Sequence, residues 1–107
     1  MLRFAPEAIE HLDAIEVKHH SAIQGAIDEQ LAFTPDVPTR SRKPLEQPPF
    51  AATWELRCGA ANHFRIFYDV DREAAVMWVL AIGVKDRNRL IIGGEEFHDE
   101  DRSPGGR

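Results

Sequence analysis

The sequence predicts an α+β domain in which an N-terminal helix hairpin packs on a small antiparallel sheet. Before residue 32, apolar residues recur every three or four positions, which is the period of an amphipathic helix. After residue 51, three apolar runs follow one another closely and alternate with polar residues, as in an antiparallel meander. The change of period divides the chain into a helical half and a sheet half.

The length and composition predict one domain. A chain of 107 residues can bury one hydrophobic core but not two. We expect the domain to span residues 1–97 and an acidic, disordered tail to follow over 98–107. Cys58 is the only cysteine, so neither a disulfide nor a cysteine-based metal site is expected. The chain has no signal-peptide pattern and no apolar run of the roughly 20 residues that a membrane helix needs, which predicts a cytoplasmic protein with no membrane partner.

Two short helices are predicted in the first third of the chain. The first begins at Pro6, whose missing N–H costs nothing in a first turn, and runs to about Val17. The second begins near Ser21 and ends before Pro35, because proline cannot continue the helical hydrogen-bond ladder. The apolar stripes that would face the core are Ile9, Leu12 and Ile15 in the first helix and Ile23, Ile27 and Leu31 in the second.

A proline-rich connector separates the helices from the sheet. Residues 35–50 hold five of the seven prolines, and compact elements lie close on both sides, so we expect an ordered connector. It carries the densest basic run of the chain, Arg40-Ser41-Arg42-Lys43. This run either contacts an anionic partner or forms a solvated loop.

Three strands are predicted, at about 52–58, 63–70 and 75–84. The third is apolar on both faces, which is typical of a central strand covered on both sides. Gly93-Gly94 is expected to end the ordered part. Strict alternation places Trp54, Leu56 and Cys58 on the core side of the first strand, Phe64, Ile66 and Tyr68 on that of the second, and Val76, Trp78, Leu80 and Ile82 opposite Met77, Val79 and Ala81 in the third.

Charged residues fall at the polar positions of this sheet. Glu55 and Arg57 share one side of the first strand, Arg65 lies in the second, and Lys85 and Arg87 follow the third. If they share one face, they form a shallow cationic groove. RNA cleavage needs such an arrangement, since cations stabilise charge on the phosphate while a nearby base helps the 2′-hydroxyl to attack. The planar fork of arginine suits phosphate oxygens.

The alternative is that these arginines pair with acidic neighbours across strands, namely Glu55 and Asp69. The five histidines show no metal-ligand spacing, and no metal or other cofactor is expected. His63, just before Arg65, and His98, in the tail, are the two histidines that could approach the basic face and act as a general base near neutral pH.

The order of two helices, WELR, FRIFYDVD and VLAIGVKDRNRL resembles the RelE/ParE family of toxins from bacterial type II toxin–antitoxin modules. The loop PTRSRKPL is similar to the basic loop of one branch, and the similarity covers about residues 4–97. The resemblance implies the fold predicted above and an antitoxin partner that wraps the toxin. It also implies one of two activities, because RelE-like members cut mRNA in the ribosomal A site whereas ParE-like members inhibit DNA gyrase.

The resemblance also implies roles for single residues. Arg65 matches the strand arginine that contacts phosphate, and Arg57 matches the arginine that closes the first sheet motif. Thr53 and Glu55 stand where RelE-like nucleases place lysines, and Leu90, Ile91 and Ile92 occupy the stretch where those nucleases carry a tyrosine. Another base, such as Glu55, His63 or His98, would therefore have to serve.

We expect a toxin that cleaves mRNA on the ribosome. The alternatives are an inhibitor of DNA gyrase and a degenerate toxin that only binds its antitoxin. The sequence makes no prediction of oligomeric state. The predicted catalytic residues are Arg65, Arg57, Lys85, Arg87, Glu55 and His63, and the predicted RNA-binding residues are Arg40, Arg42, Lys43 and Arg89.

Overall fold

The computed structural model describes residues 1–31, 36–45, 52 and 54–98. Within them the chain forms two α-helices and one seven-stranded sheet, which confirms the predicted α+β class. Neither described helix is long and apolar enough to span a membrane. The elements are β1 (Leu2–Phe4), α1 (Pro6–Asp13), a 3-10 turn (Val17–His19), α2 (His20–Leu31), β2 (Arg42–Pro44), β3 (Trp54–Cys58), a second 3-10 turn (Ala60–Asn62), β4 (Phe64–Asp71), β5 (Val76–Asp86), β6 (Arg89–Ile92) and β7 (Glu95–His98).

The sheet has the order β2-β3-β4-β5-β6-β7, with antiparallel neighbours throughout. β1 pairs in parallel with β5 at Met77–Val79, on the edge of β5 that β6 occupies further along, from Gly83. The predicted meander is therefore present as β3, β4 and β5. The four additional strands have only three or four residues each, too few to show a period.

Gly93-Gly94 does not end the ordered part, contrary to the sequence prediction. Both residues have positive φ, 61° and 85°, and they form the two-residue turn between β6 and β7. β7 ends at His98, one residue inside the predicted tail. The remainder of that tail, 99–107, lies outside the described residues.

The helices cover one face of the sheet, and the larger core lies between the two layers. The predicted stripe of α2 is buried there, as are Leu56, Ile66 and Tyr68. The prediction for α1 is wrong at Ile9, which is 51% exposed. Ala8 takes its place with no exposed surface, because the small side chain lets the short helix lie close to β5.

The opposite face, here called the outer face, carries a second and smaller apolar cluster. A β-bulge decides its composition, because Phe67 pairs with Ala81 while Tyr68 pairs with Val79, so Leu80 is an extra residue in β5. The strict alternation predicted for this strand therefore fails at Leu80. Val79 and Ile82 both join the helix-side core, whereas Leu80 and Ala81 both join the outer cluster.

Candidate functional site

Glu55 lies at the centre of a group of charged residues on the outer face. It occupies the middle of β3 and is only 1% exposed. Its Oε2 accepts a hydrogen bond from Arg65 Nη1 at 2.8 Å and another from Arg57 Nε at 3.3 Å. The sheet register brings the two arginines together, since Arg57 and Arg65 are directly opposite each other on β3 and β4. Pairing of the arginines with Glu55, one of the two carboxylates in the alternative to an open cationic groove, is thereby confirmed, across strands for Arg65 and within β3 for Arg57.

The carboxylate is needed because Arg65 is almost wholly desolvated and Arg57 is partly so. Arg65 is 5% exposed, and its Nε also donates to the carbonyl oxygen of Asn62 at 3.3 Å. Two guanidinium groups that lie opposite each other on neighbouring strands, on the same face of a sheet, repel each other. Burial strengthens that repulsion. Glu55 offsets one of the two charges, so the three side chains together carry a net charge of +1. The sequence could not predict Asn62 as a partner, because a main-chain acceptor leaves no mark in the pattern of side chains.

Two lysines extend this group along the same face. Lys43 of β2 lies opposite Glu55, and Lys85 of β5 is 7% exposed. We call Lys43, Glu55, Arg57, Arg65 and Lys85 the basic cluster. It contains four cations and one carboxylate, so its net charge is +3 in a chain whose total is −5.

The predicted base His63 is turned toward the helix side. It is exposed, follows the turn in which Ala61 and Asn62 have positive φ, and lies edge-on against Phe64 with ring centroids 5.0 Å apart. Phe64 belongs to the helix-side core. Only the backbone of His63 joins the basic cluster, since its carbonyl accepts a hydrogen bond from Lys85 N at 2.7 Å.

Three further predicted residues lie in two other places. Arg87 and Arg89 lie exposed on the β5–β6 hairpin, where Arg89 Nη2 is 3.2 Å from Asp86 Oδ2 and Arg87 has a φ of 59°. Arg40 is exposed in the connector. These three arginines remain available to a partner.

Arg42 was predicted in a loop as an RNA contact, and the structure places it elsewhere. It lies in β2 opposite Leu56, is 6% exposed, and donates from Nη1 to the carbonyl oxygen of Gln30 at 2.8 Å. A cation at the last turn of α2 satisfies a carbonyl that has no helical partner and complements the helix dipole. The register places Arg42 on the helix side and Lys43 on the outer face, which divides the predicted RNA-binding set. Thr53 lies outside the described residues.

The described part of the chain offers neither a metal site nor an activated thiol. No group of three histidine, cysteine or acidic side chains is placed there to hold a metal ion. Cys58 lies against the helix-side core, and burial raises the pKa of its thiol to about 11. The thiol is therefore protonated near neutral pH and is a poor nucleophile.

A comparison with protein families agrees with the architecture. Residues 2–89 match the family model described as the ParE toxin of type II toxin–antitoxin systems, parDE. No curated protein matches the chain. The family match spans every element from β1 to the start of β6, and such toxins are made with a cognate antitoxin. The chain belongs to the ParE toxin family of type II toxin–antitoxin systems.

Proposed function

We propose that this toxin arrests growth by binding and inhibiting DNA gyrase, and that it does not cleave mRNA. The observation that carries the proposal is the pairing of Arg65 and Arg57 with the buried Glu55. A phosphate-binding arginine must direct its N–H groups at the substrate. In Arg65, Nη1 and Nε instead donate to acceptors within the protein, and 95% of the residue is shielded from solvent.

The match to the ParE family supports the same proposal. Of the two activities that the resemblance implies, inhibition of DNA gyrase is the one that belongs to ParE-like toxins. Inhibition by binding needs no general base and no nucleophile. It needs a rigid surface of suitable charge, and the fixed arginines provide one. The side chain of Arg57, 27% exposed, and the exposed arginines of the β5–β6 hairpin are the cations that a partner can reach.

The proposal is tested with purified toxin and purified gyrase. Relaxed plasmid, ATP and gyrase are incubated with increasing toxin, and supercoiled product is measured on gels. In parallel, the 5′ ends of cellular mRNA are mapped after induction of the toxin. We expect supercoiling to fall with stoichiometric toxin while the mRNA ends stay unchanged. Undiminished supercoiling together with new mRNA ends inside coding regions would overturn the proposal.

Arg57→Gln provides a variant for the same assay. Glu55 keeps its 2.8 Å bond to Arg65 in this variant, so we expect the fold to remain. Loss of one charge-assisted hydrogen bond to gyrase should weaken inhibition about tenfold, equivalent to about 1.4 kcal/mol. Arg3→Gln, an exposed arginine of β1, is the matched control and should inhibit like the wild type.

Ribosome-dependent mRNA cleavage is the second candidate. The net charge of +3 in the basic cluster favours it, since Lys43 and Lys85 increase the attraction of this face for a phosphate backbone. If this candidate is right, the wild-type toxin produces new mRNA ends and hardly inhibits gyrase. The Lys85→Gln variant should then produce no new mRNA ends and should also hardly inhibit gyrase.

A further inference from the structure

A notch interrupts the sheet between β1 and β6. β1 pairs with β5 as far as Val79 and β6 pairs with it from Gly83, so no described strand lies beside the intervening residues on this edge. The two ends of α1 supply hydrogen-bond partners instead, through Ala5 at the N-cap and His11 in the last turn. Ala5 N donates to Val79 O at 2.9 Å, and Ile82 N donates to His11 Nδ1 at 3.3 Å. Two backbone groups at the notch, Val79 O and Ile82 N, therefore have partners from α1 and its N-cap.

A cleft of about 500 Å³ opens at this notch. The extra residue of the bulge, Leu80, forms part of its apolar wall together with Ile92 and Phe97. Two exposed carboxylates flank it, Glu7 from α1 and Glu95 from β7. The described lining contains no lysine or arginine, so the cleft combines an apolar wall with a negative rim.

His11 does not add positive charge to the cleft near neutral pH. Burial lowers the pKa of its imidazole below the ordinary value of 6.5, and this effect outweighs the opposite influence of Glu10 and Glu7. Its Nδ1 must also be unprotonated to accept the bond from Ile82 N. An incoming cation therefore meets two carboxylates and a neutral ring.

We propose that this cleft is a docking site for a segment of the cognate antitoxin that carries an apolar side chain next to a lysine or arginine. The inference rests on the toxin function and concerns the regulation of that function. The apolar side chain would contact Leu80, Ile92 and Phe97, and the cation would lie between Glu7 and Glu95. Charge complementarity selects this occupant, because long cationic side chains bury an apolar stem while the charged head stays at the rim.

The test uses the purified product of the antitoxin gene that adjoins the toxin gene, with binding measured by titration calorimetry. The double variant Glu7→Gln/Glu95→Gln removes both rim charges and should raise Kd at least tenfold. The matched control is Glu10→Gln/Glu96→Gln, which changes exposed neighbours on the same helix and strand that do not line the cleft, and its Kd should stay within twofold of the wild type. Equal effects of the two double variants, or no effect of either, would overturn the proposal.

Growth assays separate this proposal from the proposed function. Toxin carrying Glu7→Gln/Glu95→Gln should arrest growth as the wild type does, but co-expressed antitoxin should no longer relieve the arrest. Lost toxicity with unchanged antitoxin affinity would assign the cleft to the target, and a dimer that the variant dissociates would assign it to a second copy; either result contradicts the proposal. Unaffected gyrase with the expected change in antitoxin Kd would reject the gyrase hypothesis alone.

Discussion

Glu55 accepts hydrogen bonds from two arginines while lying almost wholly out of solvent, and this one residue determines what the basic cluster can do. Its strand position and parity are evident from the sequence. The direction of its carboxylate is not, because alternation alone allows the same three side chains to form either an open cationic groove or a closed ion-pair group. Burial favours the closed ion-pair group, because the repulsion between two arginines, which water screens at an exposed site, becomes costly once water is removed.

Glu55→Gln tests the structural part of this interpretation. The substitution keeps the size of the side chain but removes the charge that offsets Arg57 and Arg65. We expect the free energy of unfolding to fall by about 3 kcal/mol, the low end for a broken buried pair because Arg57 retains partial exposure. Urea unfolding at pH 7 measures it. Asp86→Asn, which breaks the exposed pair with Arg89, should cost less than about 1 kcal/mol, and a similar cost for both variants would contradict the interpretation.

His11 makes stability depend on pH. Its pKa in the folded chain is lowered by burial, so the unfolded chain binds more protons than the folded one as pH falls below 6.5. The stabilisation is therefore complete above that pH and is lost as pH falls through the lower folded-state value. The carboxylates of Glu10 and Glu7 act in the opposite direction on this pKa and limit the effect without reversing it.

We expect wild-type stability to decline between pH 7.5 and pH 5, and to decline less in His11→Gln, which does not titrate in this range. Urea midpoints at half-unit pH steps give the two slopes. His63→Gln, a substitution of an exposed histidine, is the control and should keep the wild-type slope. Parallel curves for the wild type and His11→Gln would show that the His11–Ile82 contact carries no pH dependence.

At the scale of elements, Gly83 allows β5 and β6 to pack closely, because it has no side chain. A Cβ added at Gly83 would lie 2.9 Å from Ile92 Cγ1 and 3.1 Å from the carbonyl oxygen of Ile91. Gly83→Ala should therefore cost about 1–3 kcal/mol, because the strand backbone cannot move away without breaking the ladder. Gly25→Ala in α2 has open space around the new Cβ and should stabilise by about 0.5–1 kcal/mol. Thermal unfolding compares the two, and opposite signs are the expected result.

The same scale shows which elements a sequence can predict. In α2, β3 and β4 the residues that reach the helix-side core recur with the predicted period, because each element is long enough to show one. β1 and β2 have three residues each, and their pairing partners determine them rather than their own sequence. The bulge at Leu80 depends on how β4 and β5 align, so no pattern within β5 could reveal it. The β6–β7 hairpin did have a signal, since Gly93-Gly94 is a favoured two-residue turn between alternating residues.

For the molecule as a whole, the outer face carries two surfaces of opposite charge, the basic cluster and the notch. The basic cluster spans β2 to β5, with Lys85 near the C-terminal end of the latter strand. The notch lies beside the middle of β5 and has a negative rim. Different residues form each surface, so we expect substitutions to change the proposed target binding and the proposed antitoxin binding independently.

β1 is far in sequence from β5, the strand with which it pairs. Leu2 pairs with Met77, 75 positions away, whereas Ile66 and Ile82 of the β4–β5 hairpin are 16 positions apart. Closing the longer loop costs more entropy, and β1 adds only three residues of ladder in return. The hairpin should therefore form in the folding transition state, and β1 should dock onto β5 after it.

Two conservative substitutions distinguish these stages. Phe4→Leu removes volume from a half-buried residue of β1, and Ile82→Val removes a methyl group from the buried centre of β5. Stopped-flow folding and unfolding rates in urea give a φ-value for each, provided that each costs more than about 0.6 kcal/mol. We expect Phe4→Leu to accelerate unfolding with little effect on folding, and Ile82→Val mainly to slow folding. A φ-value above roughly 0.5 at Phe4 would mean that the 75-position contact already exists in the transition state, and the late docking of β1 would then be wrong.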